Sequence, residues 1–149
     1  MQISYKTDYS LKIILHLSGS YPDGTAQIKQ IADAQDIPKK FLEQILLLLK
    51  KGGFVASKQG PHGGYFLAKA PEEIAVGDVV RFVEGPIHPI SCIAPGAEDT
   101  CSFASACVFR DIWVDVETAI SRVIDTVTFS DLLEREKKKR GMLAIDFQI

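Results

Sequence analysis

The thirty-two residues from Pro38 to Lys69, PKKFLEQILLLLKKGGFVASKQGPHGGYFLAK, constrain the fold of this chain more than any other stretch. Pro38 suits the opening of a helix, where its missing N–H has no partner to lose. The helix that follows has Phe41, Leu42, Ile45, Leu46 and Leu49 at helical spacing, a set expected to be buried, and Gly52-Gly53 stops it. Phe54 to Lys58 is expected to form a strand. Gly60 to Gly64 turns the chain, and Tyr65 to Ala68 returns as a second strand. A helix running straight into a two-stranded hairpin leaves few architectures open.

The flanking segments narrow them further. Ser4 caps a helix to about Ser18, with Tyr5, Tyr9, Ile13 and Leu17 recurring every four residues. Ser20 to Gly24 is a turn. A short helix over Ile28–Gln35 is expected to bury Ile28, Ile31 and Ala32, and Asp36-Ile37 makes a tight connection to Pro38. Helix, tight turn, helix, hairpin is the order of a winged helix-turn-helix. Downstream, a helix over about Gly77–Glu84 precedes a Pro- and Gly-rich loop, and a long helix runs from about Ser105 to Asp125. Its stripe of Val108 or Phe109, Ile112, Val116, Ala119 or Ile120 and Val123, widened by Trp113 and Val114, suits packing on a second chain. A last helix starts near Thr128, runs through EREKKKR and is expected to end at Gly141, before a strand-like tail.

The fold class expected is mainly α with a small β-hairpin wing: a winged helix-turn-helix plus a long dimerisation helix. It divides into a DNA-binding unit at 1–71, a connecting helix and cysteine loop at 72–108, a dimerisation and C-terminal helix at 105–140, and a tail at 141–149.

Charge is divided unevenly. Residues 1–70 carry nine lysines against five acids, and residues 71–149 carry eight cations against fourteen acids. One half therefore suits a polyanion and the other does not. Between Pro38 and Lys58 there are five lysines and one acid. The third helix would place Lys39, Lys40, Glu43 and Gln44 at base edges and phosphates, with Lys50 and Lys51 at its far end. Gln can bond adenine in a bidentate manner and Glu can accept from cytosine. The hairpin tip adds Lys58, Gln59, His62 and Gly63, small enough to approach a backbone or minor groove. No apolar run approaches the roughly 18 residues of a membrane span, and the N-terminus lacks an apolar signal core, so a cytoplasmic location without membrane contact is expected. The chain offers no paired catalytic acids, substrate-pocket motif or second cofactor motif, and no enzyme is expected.

All three cysteines, Cys92, Cys101 and Cys107, lie within sixteen residues. From the residues alone, four roles stay open: thiolate ligation of an iron–sulfur cluster, a thiol switch through Cys101 and Cys107, zinc binding, or inert thiols. The close cysteine pair usual in zinc motifs is absent.

The segment Phe41–Lys69, with FLEQ leading into GPHGGY, resembles the signature of the IscR/NsrR-like family of winged-helix transcriptional regulators. IAVGDVV (Ile74–Val80), the cysteine loop, the long helix and TVTFSDLL (Thr126–Leu133) follow in the family's order, so the likeness spans about residues 1–135. It implies a homodimer on a partly palindromic double-stranded DNA operator, read by the helix at Pro38–Leu49 and by the wing. It also implies a [2Fe–2S] or [4Fe–4S] cluster on Cys92, Cys101 and Cys107. In one branch the fourth ligand is a His three residues past the last cysteine. That position is Arg110 here, which cannot serve. In the nitric-oxide-sensing branch an Asp within T-D-Y reaches across the dimer. Thr7-Asp8-Tyr9 matches it, making Asp8 of the partner subunit the expected fourth ligand, with His88, Glu98 and Asp99 as substitutes. Gln59 departs from members that carry Arg in the wing. The expected function is a dimeric repressor sensing nitric oxide, redox or cluster status. The alternatives are a cluster-free regulator controlled by a thiol or a protein partner, and a small iron–sulfur redox protein.

Overall fold

The computed structural model describes residues 2–97 and 101–146, with side chains as far as residue 143. Eight regular elements follow one another: α1 (Tyr5–Ser18), α2 (Ile28–Gln35), α3 (Lys39–Lys51), β1 (Val55–Lys58), β2 (Gly64–Leu67), α4 (Val76–Glu84), α5 (Val108–Asp125) and α6 (Phe129–Asp146). The architecture is a mainly helical winged helix-turn-helix with a two-stranded antiparallel sheet. Among the described residues no helix is long and apolar enough to cross a membrane.

Local chemistry sets the boundaries. The Ser4 hydroxyl accepts from the Thr7 N–H at 3.3 Å and so caps α1. Asp36 takes the left-handed conformation, with φ of 50°, and ends α2 within one residue. Gly53, with φ of 72°, lets the chain leave α3. The hairpin pairs Val55 with Leu67 and Lys58 with Gly64. Beyond it, Ala26 and Tyr65 exchange backbone hydrogen bonds of 2.9 and 2.8 Å, which ties the wing to the entry of α2. Gly64 permits this approach: a Cβ there would stand 2.6 Å from the Ala26 carbonyl oxygen.

The core gathers Ile13, Ile14 and Leu17 of α1, Ile31 of α2, and Leu42, Ile45, Leu46 and Leu49 of α3. It also draws in Val55 and Leu67 from the hairpin and Ile74, Val79 and Phe129 from beyond it. Each such side chain contributes about 1.5–3 kcal/mol by leaving water. Phe129 is fully buried at the first residue of α6. A short bridge holds it there, in which Val76 N donates to Val127 O at 2.9 Å and Phe129 N to Ile74 O at 3.0 Å.

Several expectations need correction. Phe41 is 55% exposed. At about 100° per residue it lies at the edge of the face shared by Leu42, Ile45, Leu46 and Leu49, where it borders an open groove against α1. In α2 only Ile31 is fully buried; Ile28 and Ala32 pack at the margin. The long helix begins at Val108, after a 3-10 turn at Ala104–Ala106, and not at Ser105. Gly141 does not end α6, which continues to Asp146. The expected strand-like tail is therefore helical as far as it is described, and residues 147–149 lie outside the described residues. A lone helical glycine costs about 1 kcal/mol relative to alanine, too little to break an established helix.

One element stands apart. α5 buries none of its residues, while Val108, Phe109, Ile112 and Val123 are 71, 63, 53 and 63% exposed.

Candidate functional site

The first region lies between the start of α3 and the wing. A cleft of about 450 Å³ is lined by Lys39 and Glu43 of α3 and by Lys58, Gln59, Gly60 and Gly63 of the hairpin. The opposite wall comes from Gln27 and Lys29 at the start of α2. The sequence reading missed these two, because the Ala26–Tyr65 bridge that brings them beside the wing joins residues far apart in the chain. The Gln27 N–H donates to Gln30 Oε1 at 2.7 Å, which seats the first turn of α2. Gly63 is buried at the tip, where a Cβ would lie 2.2 Å from the Lys58 carbonyl oxygen, so no other residue fits this turn. His62 is exposed, and its carbonyl accepts from the Thr25 hydroxyl at 3.2 Å.

The other expected contacts spread around α3. Lys40 and Lys51 are exposed outside the cleft. Lys50 donates to the Ser57 hydroxyl at 2.7 Å and so braces the helix against β1. Gln44 turns toward α1, where it lines a separate cavity of about 380 Å³ with Tyr5, Lys6, Tyr9, Phe41 and Ile45.

The second region is the cysteine loop. Cys92 sits in a 3-10 turn at Ser91–Ile93, and Cys107 is the N-cap residue of α5. All three cysteines are free and half-buried. The Arg110 guanidinium, in the first turn of α5, donates to the Cys92 carbonyl and straps the start of the loop to the helix at its end. Further along, His88 Nδ1 lies 3.0 Å from Glu117 Oε2, and Arg81 bonds Asp125 at 2.5 and 3.0 Å and Ser121 at 3.0 Å. The chain from α4 to Cys92 thus runs antiparallel along α5.

Asp8 lies in the first turn of α1, 2.7 Å from Lys12. That carboxylate raises the Lys12 pKa. Beside it, the Ser4 N–H and hydroxyl donate to Glu84 Oε1 at 2.9 and 2.6 Å, joined by the Thr7 hydroxyl. The Ser4 and Thr7 hydroxyls hold the Glu84 carboxyl below the usual glutamate range. Glu84 is the last residue of α4, so this contact links the helix preceding the cysteine loop to the helix beside α3. Glu98 and Asp99 lie outside the described residues. The donor chemistry, three unpaired thiols on one strapped loop, fits thiolate ligation of iron. Among the described residues of a single chain, no three His, Cys, Asp or Glu side chains are grouped to hold a metal ion.

Residues 3–135 match the family model described as Rrf2, iron-dependent transcriptional regulator. The chain belongs to the Rrf2 family. This Rrf2-family chain is 32% identical to the HTH-type transcriptional regulator NsrR of Halalkalibacterium halodurans, covering 97% of this chain and 99% of that one. Its fold is similar to CymR, the global cysteine regulator of B. subtilis, with a TM-score of 0.75, 30% identity and coverage of 91% and 98%. It is also similar to T. potens IscR, with a TM-score of 0.74, 29% identity and coverage of 93% and 90%. Rrf2 relatives are named as transcriptional regulators, a non-enzymatic class, and the chain is a DNA-binding regulator of that kind.

Proposed function

We propose that this Rrf2-family chain is a homodimeric cytoplasmic repressor whose hold on its operator depends on an iron–sulfur cluster bound by Cys92, Cys101 and Cys107. The observation that carries the reading is Cys107 at the N-cap of α5, a helix whose apolar stripe is left exposed by the described residues of its own chain. Two copies meeting along that stripe would fix the distance between two reading helices. The loop sits at the end of the pairing element, so a change in ligation would be felt at the seam. When bound, the cluster would supply a redox- and nitric-oxide-sensitive centre, and Asp8 of the partner subunit is the proposed fourth donor. Lys39, Lys58 and Lys29 would neutralise phosphates, while Glu43 and Gln59 face the groove from the cleft. Lys40, Gln44, Lys50, Lys51, His62 and Gly63 complete the proposed contact set. A regulatory coupling of this kind is typically worth about 1–3 kcal/mol, roughly 5–150-fold in affinity.

Anaerobic purification tests the reading. Visible absorbance, electron-paramagnetic spectra and iron content before and after nitric oxide would be set against operator affinity, for the wild type and for Cys92→Ala, Cys101→Ala and Cys107→Ala. The expected result is a coloured protein whose operator affinity changes with nitric oxide and whose variants lose both properties. A colourless, iron-free protein even after reconstitution would rule out the cluster.

A second reading is a cluster-free thiol switch. The three free thiols, not grouped as a metal site among the described residues of the single chain, support it, as does the likeness to a cysteine regulator. An oxidant that shifts operator affinity of the iron-free protein, reversibly with a thiol reductant, would select it.

A further inference from the structure

The family match stops at residue 135, and the chain's densest run of positive charge begins there. Residues 135–140, REKKKR, hold five cations and one acid, within a half that is otherwise acidic. Lys137, Lys138, Lys139 and Arg140 are all exposed on α6. Glu136, the one acid of the run, is bonded to Arg140 at 2.7 Å. Among the described residues the three lysines make no ion pair, although Asp33 on α2 and Asp36 just beyond it are exposed.

The seating of α6 gives the run a place. Leu133, Glu136 and Arg140 share one helical face and line a cavity of about 230 Å³ with Leu15, His16 and Gln35. Gln35 is the last residue of α2, and Lys39 opens α3 four residues later. The middle turns of α6 therefore stand against the end of the helix that leads into the reading helix. A rigid helix presents its lysines at a fixed position, whereas a loose tail would not.

We infer that Lys137, Lys138 and Lys139 form an additional DNA contact, gripping backbone phosphates that flank the sequence read by α3 and the wing. The inference rests on the DNA-reading cleft described above and extends its footprint outward. Lysine ammonium groups suit this task, since they bind phosphates as point charges with no demand on base identity.

The test uses the full chain and an operator selected by the protein itself from a random duplex pool. That operator is prepared both trimmed to the selected sequence and extended by about ten base pairs, one helical turn, on each side. Wild type is compared with the triple variant Lys137→Gln, Lys138→Gln, Lys139→Gln across a salt series. On extended DNA the variant should show a slope of log K against log salt shallower by about 0.9 for each phosphate it no longer neutralises. On trimmed DNA the two proteins should bind alike, which also shows that the variant folds. Equal binding on both lengths would make the run a solvated face or a site for an acidic protein, and would overturn the proposal. An equal loss on both lengths would assign it to general charge and overturn it as well. Failure of the wild type to select any sequence would instead count against the DNA-reading function itself.

Discussion

The unit built from α1, α2, α3 and the wing and the helix α5 are both amphipathic, but they resolve their apolar faces differently. In the first, Leu42, Ile45, Leu46 and Leu49 each find neighbours within the chain and are at most 4% exposed. In the second, a stripe of comparable strength ends with no buried residue. One chain suffices to fold the first and does not suffice to cover the second. An apolar stripe that its own chain leaves in water is a specification for another surface, and a second copy is the occupant proposed above.

The largest expected effects bear on that contrast directly. Leu46→Ala should lower unfolding stability by about 2–5 kcal/mol in a denaturant titration, because it opens a cavity among fully buried neighbours. Ile112→Asp should leave that packing alone and abolish pairing. The wild-type melting midpoint should rise with protein concentration and the variant's should not, with sedimentation reporting a monomer. If Ile112→Asp stays dimeric and melts as early as Leu46→Ala, the distinction between the two regions fails.

A smaller effect sharpens the picture of the reading unit. Lys39→Ala should reduce the salt slope of operator binding by about one for each phosphate the lysine neutralises, with little change in folding. Lys69→Ala, outside the cleft, should leave the slope as it is.

The smallest effect is a pH dependence. His16 is half-buried between α1, α2 and α6, 3.3 Å from Gln35. Burial pushes its pKa below the ordinary 6.5, opposed by the nearby Glu136 carboxylate. A base with a lowered folded pKa contributes stability that is fully present above pH 6.5 and lost as pH falls below it. His16→Gln should flatten that acid-side loss, measured as the melting midpoint against pH.

Much of this was legible in the sequence where the signal is local. Ser4 as a cap, Asp36-Ile37 as the tight turn and Gly52-Gly53 as a stop each act over a few residues. What was missed depends on contacts across the chain. Phe41 carries an apolar side chain at a helical position, yet it stands at the edge of the buried face of α3, beside an open groove against α1. Gln27 and Lys29 join the cleft only because the wing folds back on Ala26. Arg110, unfit as a ligand, straps Cys92 through its backbone, a role without a sequence pattern. Gly141 matched a stop signal that the helix around it overrode.

The exchange of backbone hydrogen bonds between Ala26 and Tyr65 makes hairpin and helices one solid body. Backbone bonds of this kind oppose movement of the wing apart from the helices. In the proposed dimer, a signal received at the cysteines would then act on one adjustable quantity, the offset between two such bodies along the double helix. Operators differing only in the number of base pairs between their half-sites should therefore respond differently to the signal, while base changes within a half-site should matter equally in both states.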